Sequence, residues 1–133
     1  MYRVTRELDF SYGHRLLGHP GKCSHLHGHN ARVRVTLANE DLDALGMVAD
    51  FQSIRNRIGA WIDATLDHRM ILRRDDPALP ALRELGEPVC VTDVNPTAEN
   101  LARLIYEQAR SDGLPVVRVD LWETDSCMAS YGA

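Results

Sequence analysis

Lysine is nearly missing from this chain: Lys22 is the only one, and arginine supplies the rest of the positive charge. Acidic residues outnumber basic ones, 19 to 15, so the formal net charge is −4 and the broad positive field that nucleic-acid binding needs is absent. No apolar run is long enough to span a bilayer, and no basic leader with an apolar stretch stands near the N-terminus. A membrane partner is therefore not expected, and the cytoplasm is the expected location. Three cysteines, an odd count, do not make a disulfide framework. Repeats and low-complexity linkers are lacking too, so residues 1–133 are expected to form one domain with its own core.

Cys90 and Cys127 sit in apolar, strand-like surroundings and are expected to be buried small hydrophobes. Cys23 differs. It lies in a Gly- and His-rich loop beside Lys22, where a thiol is accessible and a neighbouring cation favours the thiolate.

Residues 2–10 alternate, with Tyr2, Val4, Leu8 and Phe10 on one face and Arg3, Thr5, Glu7 and Asp9 on the other. Arg6 interrupts the apolar face once. Residues 29–38 repeat the pattern, setting Ala31, Val33, Val35 and Leu37 against Arg32, Arg34 and Thr36. Both read as half-buried antiparallel strands joined by a loop from Ser11 to Gly28. The stretch 39–46 is turn-like, and 47–49 reads as a short extended piece. Asp50 is placed to cap a helix over 51–66, in which Phe51, Ile54, Ile58, Trp61, Ile62 and Thr65 recur at helical spacing. Residues 69–90, with three prolines and mixed charge, read as a long connection with room for one helical turn.

Asn95-Pro96-Thr97 opens a second helix, with Pro96 or Thr97 at its cap and Glu99 in its first turn. Its apolar stripe is Ala98, Leu101, Ala102, Ile105 and Ala109, and Gly113-Leu114-Pro115 stops it. Strands follow over 116–122 and 127–131. The order is β-β-α-α-β-β. The simplest packing of it is an α+β fold, a four-stranded antiparallel sheet with two helices on one face. So small a sheet leaves two edges open, and pairing them between subunits predicts a homo-oligomer.

Five of the six histidines fall between His14 and His29. His27 and His29 are two apart at a strand entrance, so their side chains leave the same face. His14 ends the neighbouring strand, and an antiparallel pair can gather all three imidazoles around one ion. Three nitrogen ligands and one open position make a catalytic zinc site, whereas structural zinc is closed by four protein ligands. Spacing leaves two questions open. His25 shares the parity of His27 and His29 and competes with His14, and Cys23 competes for a fourth ligand position. His19 and His68, taken singly, read as ordinary surface or hydrogen-bonded histidines. In Asp67-His68 a carboxylate can orient an imidazole, though a dipeptide is a weak signal. Glu123, at a strand end, is ordinarily solvated; lining a pocket, it would accept paired N–H donors from a guanidine-like heterocycle.

In order along nearly the whole chain stand Phe10-Ser11, His14-Arg15, Cys23-x-x-x-His27-Gly28-His29, Asp50-Phe51, Leu66-Asp67-His68, Asn95-Pro96-Thr97-Ala98-Glu99-Asn100 and Trp122-Glu123-Thr124. This series resembles the 6-pyruvoyl-tetrahydropterin synthase superfamily, and more closely its bacterial 6-carboxy-5,6,7,8-tetrahydropterin synthase (QueD) branch. The resemblance implies that His14, His27 and His29 bind Zn2+, that Cys23 is the catalytic base, and that Asp67 and His68 complete a catalytic triad. It implies that Glu123 anchors the pterin ring and that Thr97 lines the pterin pocket. It also implies the tunnelling fold (T-fold), with trimers closing a barrel, two trimers forming a homohexamer, and active sites between subunits.

The implied reaction takes 7,8-dihydroneopterin triphosphate to 6-carboxytetrahydropterin, acetaldehyde and triphosphate, feeding 7-deazaguanine and queuosine synthesis. Three rivals stand beside it: elimination of triphosphate to a pyruvoyl product, a paralogue acting on a related pterin, and a non-catalytic zinc-binding oligomer. The compact Cys-x-x-x-His spacing favours the first reading over the pyruvoyl one. Tyr12-Gly13 stands where relatives commonly carry two small residues, the His14–Cys23 loop is shorter than usual, and Arg69-Met70-Ile71-Leu72 replaces the usual continuation after His68.

Overall fold

A computed structural model describes residues 1–133. Strand β1 (Tyr2–His14) and strand β2 (His27–Asn39) form a long antiparallel hairpin, in register from Tyr2 opposite Asn39 to His14 opposite His27. The alternation set out above decides the faces: Leu8, Phe10 and Tyr12 on β1 and Ala31, Val33, Val35 and Leu37 on β2 are buried on one side. Arg32 and Arg34 point the other way, where their guanidiniums stack on the Trp122 ring at 4.5 and 5.0 Å.

Helix α1 (51–65) follows. The Asp50 carboxylate caps it, accepting the Gln52 N–H at 2.8 Å, and Ile54, Ile58 and Ile62 form its buried stripe. Its middle, Arg55–Gly59, is one wide π-helical turn. A Cβ on Gly59 would lie 2.2 Å from Arg55 Nη1, so glycine is what lets the arginine fold back over the turn. Residues 48–49 form a bend, and 47–49 are not the extended piece expected of them.

The connection over 69–90 is more ordered than its prolines imply. It holds strand β3 (Arg69–Arg73), helix α2 (Ala78–Glu84) and strand β4 (Val89–Thr92). Strand β3 runs parallel to the end of β1, Tyr12–His14 against Arg69–Ile71, and β4 runs parallel to β3. The expected four-stranded antiparallel sheet is therefore a six-stranded mixed one. Helix α3 (Ala98–Ser111), strand β5 (Val116–Thr124) and strand β6 (Cys127–Gly132) complete the chain, giving the strand order β4-β3-β1-β2-β5-β6.

The stripe Ala98, Leu101, Ala102, Ile105 and Ala109 of α3 is buried, and α3 packs on β5 and β6 while α1 lies against β1. The sheet, α1 and α3 enclose one contiguous apolar core. Along Tyr2–Ser11, β1 has a neighbour on one side only, and so has β6. Cys127 opens that outer strand and is exposed, contrary to the buried position expected; Cys90 on β4 is half-buried, and burial pushes its thiol up. No helix is long and apolar enough to cross a membrane.

Candidate metal centre

The hairpin register builds the centre. His14 ends β1 directly opposite His27, the first residue of β2, and His29 stands opposite Tyr12. Opposed residues, and residues two apart, share a face of an antiparallel pair. The three imidazoles therefore prolong the buried row on the core side, with ring centroids 4.5 to 5.1 Å apart. Their ligand nitrogens all lie within 4.8 Å of one another. His25 is not a member; it contributes its carbonyl instead. Cys23 is not a member either.

Hydrogen bonds settle which nitrogens are free. His14 Nδ1 is 2.7 Å from the Pro96 carbonyl and His27 Nδ1 is 2.7 Å from the His25 carbonyl. A carbonyl only accepts, so each Nδ1 carries the proton and each Nε2 keeps a lone pair. His29 Nε2 is buried with no hydrogen-bond partner. An unmet buried polar atom costs about 1–3 kcal/mol, and a cation among the three nitrogens satisfies it. Burial also pushes the His14 imidazole below its ordinary range, outweighing the Pro96 carbonyl and Glu123, and so favours the neutral form that a ligand needs. The donor set fits a divalent metal such as zinc.

Glu123 extends the buried row of β5 set by Val119 and Leu121. Its Oε1 lies 3.8 Å from His14 Nε2 and its Oε2 lies 3.8 Å from His29 Nε2. The Tyr12 hydroxyl donates to Oε1 at 3.4 Å. Burial, reinforced by Glu123, pushes that phenol far above its ordinary range, so it remains a donor.

Asp67 and His68 are docked on β1 at a single residue. Ser11 N–H donates to Asp67 Oδ1 at 3.0 Å, and His68 N–H donates to the Ser11 carbonyl at 2.6 Å. His68 Nδ1 then meets Asp67 Oδ2 at 2.9 Å. His68 holds φ at 56°, the left-handed region that a non-glycine residue adopts only under constraint. Its ring is 79% exposed, so the pair presents an oriented imidazole to solvent.

Burial raises the Asp67 carboxyl, but the Ser11 N–H and His68 together outweigh it and hold the group below the ordinary carboxylate range. A depressed carboxyl contributes stability that is complete above the unfolded value and lost as pH falls through the folded one. In urea titrations, Asp67→Asn is therefore expected to be less stable than wild type at pH 7. That difference should close as the pH drops below about 4; a gap independent of pH would contradict it.

The remaining expected residues lie apart. Cys23 sits half-buried in a 3-10 turn, Lys22–Ser24, anchored through its carbonyl by the Leu16 N–H at 2.8 Å. Thr97 caps α3, its hydroxyl accepting the Asn100 N–H at 3.1 Å. Neither lines the two clefts, of about 760 and 630 Å³, that His68 borders. One chain thus gathers the three histidines and Glu123, and separately Asp67 with His68.

Other contributors carried only a faint sequence signal. The Asn95 side chain clasps the Leu17 backbone through two bonds, of 3.0 and 2.9 Å, next to the carbonyl that holds His14. Arg15 makes a two-pronged ion pair with the buried Asp76, its Nε at 2.8 Å. Asn-Pro ahead of a helix and Arg directly after a ligand were the available hints.

A histidine cluster at the end of a hairpin, on a mainly antiparallel sheet with α1 and α3 packed against it, defines a tunnelling-fold protein. Two solved structures share the architecture. An uncharacterized protein from Wolinella succinogenes superposes with a TM-score of 0.83 at 29% identity, covering 98% of this chain and 97% of that one. The 6-pyruvoyl tetrahydropterin synthase of Caenorhabditis elegans does so at 0.73 and 26%, covering 99% and 95%.

The family model for 6-pyruvoyl tetrahydropterin synthase matches residues 3–133, and the chain belongs to that family. The 6-carboxy-5,6,7,8-tetrahydropterin synthase of Rickettsia typhi is 38% identical over 138 aligned positions, covering 96% of this chain and 97% of the relative.

Proposed function

We propose that this chain is a zinc-dependent 6-carboxy-5,6,7,8-tetrahydropterin synthase. It would act in the cytoplasm on 7,8-dihydroneopterin triphosphate, in 7-deazaguanine and queuosine synthesis. The observation that supports the metal requirement is His29 Nε2, buried without a hydrogen-bond partner beside two imidazoles already fixed through Nδ1. The likeness to relatives bearing that enzyme name supports the substrate.

In this reading His14, His27 and His29 hold the ion, which when bound supplies Lewis acidity to the hydroxyls of the substrate side chain. Glu123 accepts N–H donors from the guanidine-like edge of the pterin, and Thr97 belongs to the pterin pocket. Cys23 removes the proton from the side-chain carbon next to the ring. His68, held by Asp67 at 2.9 Å, exchanges protons on the other side. Triphosphate leaves, and hydrolytic breakage of the side chain, which consumes one water, releases acetaldehyde and leaves a 6-carboxy product. Assembly as a homohexamer would bring Cys23 of one subunit to Asp67 and His68 of another. The one-sided pairing of β1 over Tyr2–Ser11 and of β6 leaves edges for it.

The test is incubation of the zinc-loaded protein with 7,8-dihydroneopterin triphosphate. Acetaldehyde and a carboxypterin are the expected products. A pyruvoyl product would assign the elimination reaction of the wider family instead, and no turnover would leave a related pterin or a zinc-binding oligomer.

A further inference from the structure

Tyr12 is 4% exposed, and a buried phenol needs a partner for its hydroxyl. It has one, Glu123 Oε1 at 3.4 Å. The ring has no freedom to choose another. Phe10 packs on it at 5.2 Å between centroids, His14 meets it edge-on at 5.0 Å, and His29 lies 5.7 Å away. Glu123, by contrast, is a flexible side chain at a strand end, where solvation draws a carboxylate outward. It instead stays turned inward, one oxygen 3.8 Å from each of two free imidazole nitrogens.

We infer that Tyr12 is a positioning residue: its phenol holds the Glu123 carboxylate against the His14–His29 side of the cluster, strengthening the cluster's grip on a divalent metal. The inference rests on the reading above that the cluster binds such a metal. A carboxylate kept beside a cation in a half-buried site attracts it far more strongly than one free to swing into water. Outer groups that orient the surroundings of a metal commonly carry tenfold to hundredfold in its affinity. The competing account is that Tyr12 only fills space, in which case a phenylalanine ring would serve as well.

Competitive titration of zinc against a chromophoric chelator separates the two, using the purified full chain as wild type, Tyr12→Phe, Glu123→Gln and the double variant. Glu123→Gln is expected to weaken zinc binding about tenfold or more, and Tyr12→Phe about threefold to tenfold. The double variant should match Glu123→Gln alone, because Tyr12 acts through the carboxylate. Metal-free thermal unfolding of Tyr12→Phe should stay close to wild type, since the ring packing is kept. Wild-type affinity in Tyr12→Phe, or multiplied losses in the double variant, would overturn the positioning role while leaving the metal reading intact. A wild-type protein that takes up no zinc would instead remove the reading on which the inference rests. Neither measurement needs turnover, so they stand apart from the identity of the substrate.

Discussion

His29→Ala is expected to weaken zinc binding by about a hundredfold to a thousandfold, roughly the loss of a third of a binding free energy on the order of 10 kcal/mol. The three nitrogens lie within 4.8 Å of one another, so no ligand is a distant helper that the others can replace. The metal-free chains are expected to differ far less. The substitution removes the buried Nε2 that lacks a partner, which stabilises, and it removes ring packing beside Tyr12, which destabilises. Differential scanning calorimetry with and without zinc reads both effects. Excess zinc should raise the wild-type unfolding temperature by mass action and leave that of His29→Ala almost unmoved. A zinc-induced rise of the same size in both proteins would show that the ion binds elsewhere.

Cys23→Ala is expected to lower turnover by about a hundredfold to ten-thousandfold, the range for removing a positioned proton-transfer group. Zinc content should stay at the wild-type level. The backbone around Cys23 is held through its carbonyl and the Leu16 N–H, so losing the side chain does not release the turn. Its sulfur lies outside the histidine cluster. The measurement is a pair: metal analysis beside steady-state kinetics, with cobalt absorption as a check. If zinc affinity falls together with turnover, and a thiolate–cobalt charge-transfer band vanishes, Cys23 closes the metal site and the open-site reading is wrong.

The histidine centre was legible because one short string fixes parity on a strand. His27-Gly28-His29 says that two imidazoles share a face, whatever the rest of the chain does. It could not choose between His14 and His25. The register of the hairpin, which sets His14 opposite His27, makes that choice. Strands β3 and β4 were missed for a physical reason. They are five and four residues long, parallel, and β3 buries both Ile71 and Leu72, so no alternation marks them. The π-helical turn was hidden as well, since the apolar spacing of Ile54, Ile58 and Ile62 reads as an ordinary helix. Cys127 misled because an outer strand looks, in sequence, like an inner one.

The bond from His14 to the Pro96 carbonyl joins residues 82 positions apart. Such a contact requires the intervening chain to be ordered, at the entropic cost of closing a long loop. The hairpin alone can present His27 and His29, but the third imidazole is aimed only once α3 has docked. On the proposed zinc reading, the complete three-nitrogen site therefore exists only in a chain whose α3 is docked, and zinc affinity would report on that docking.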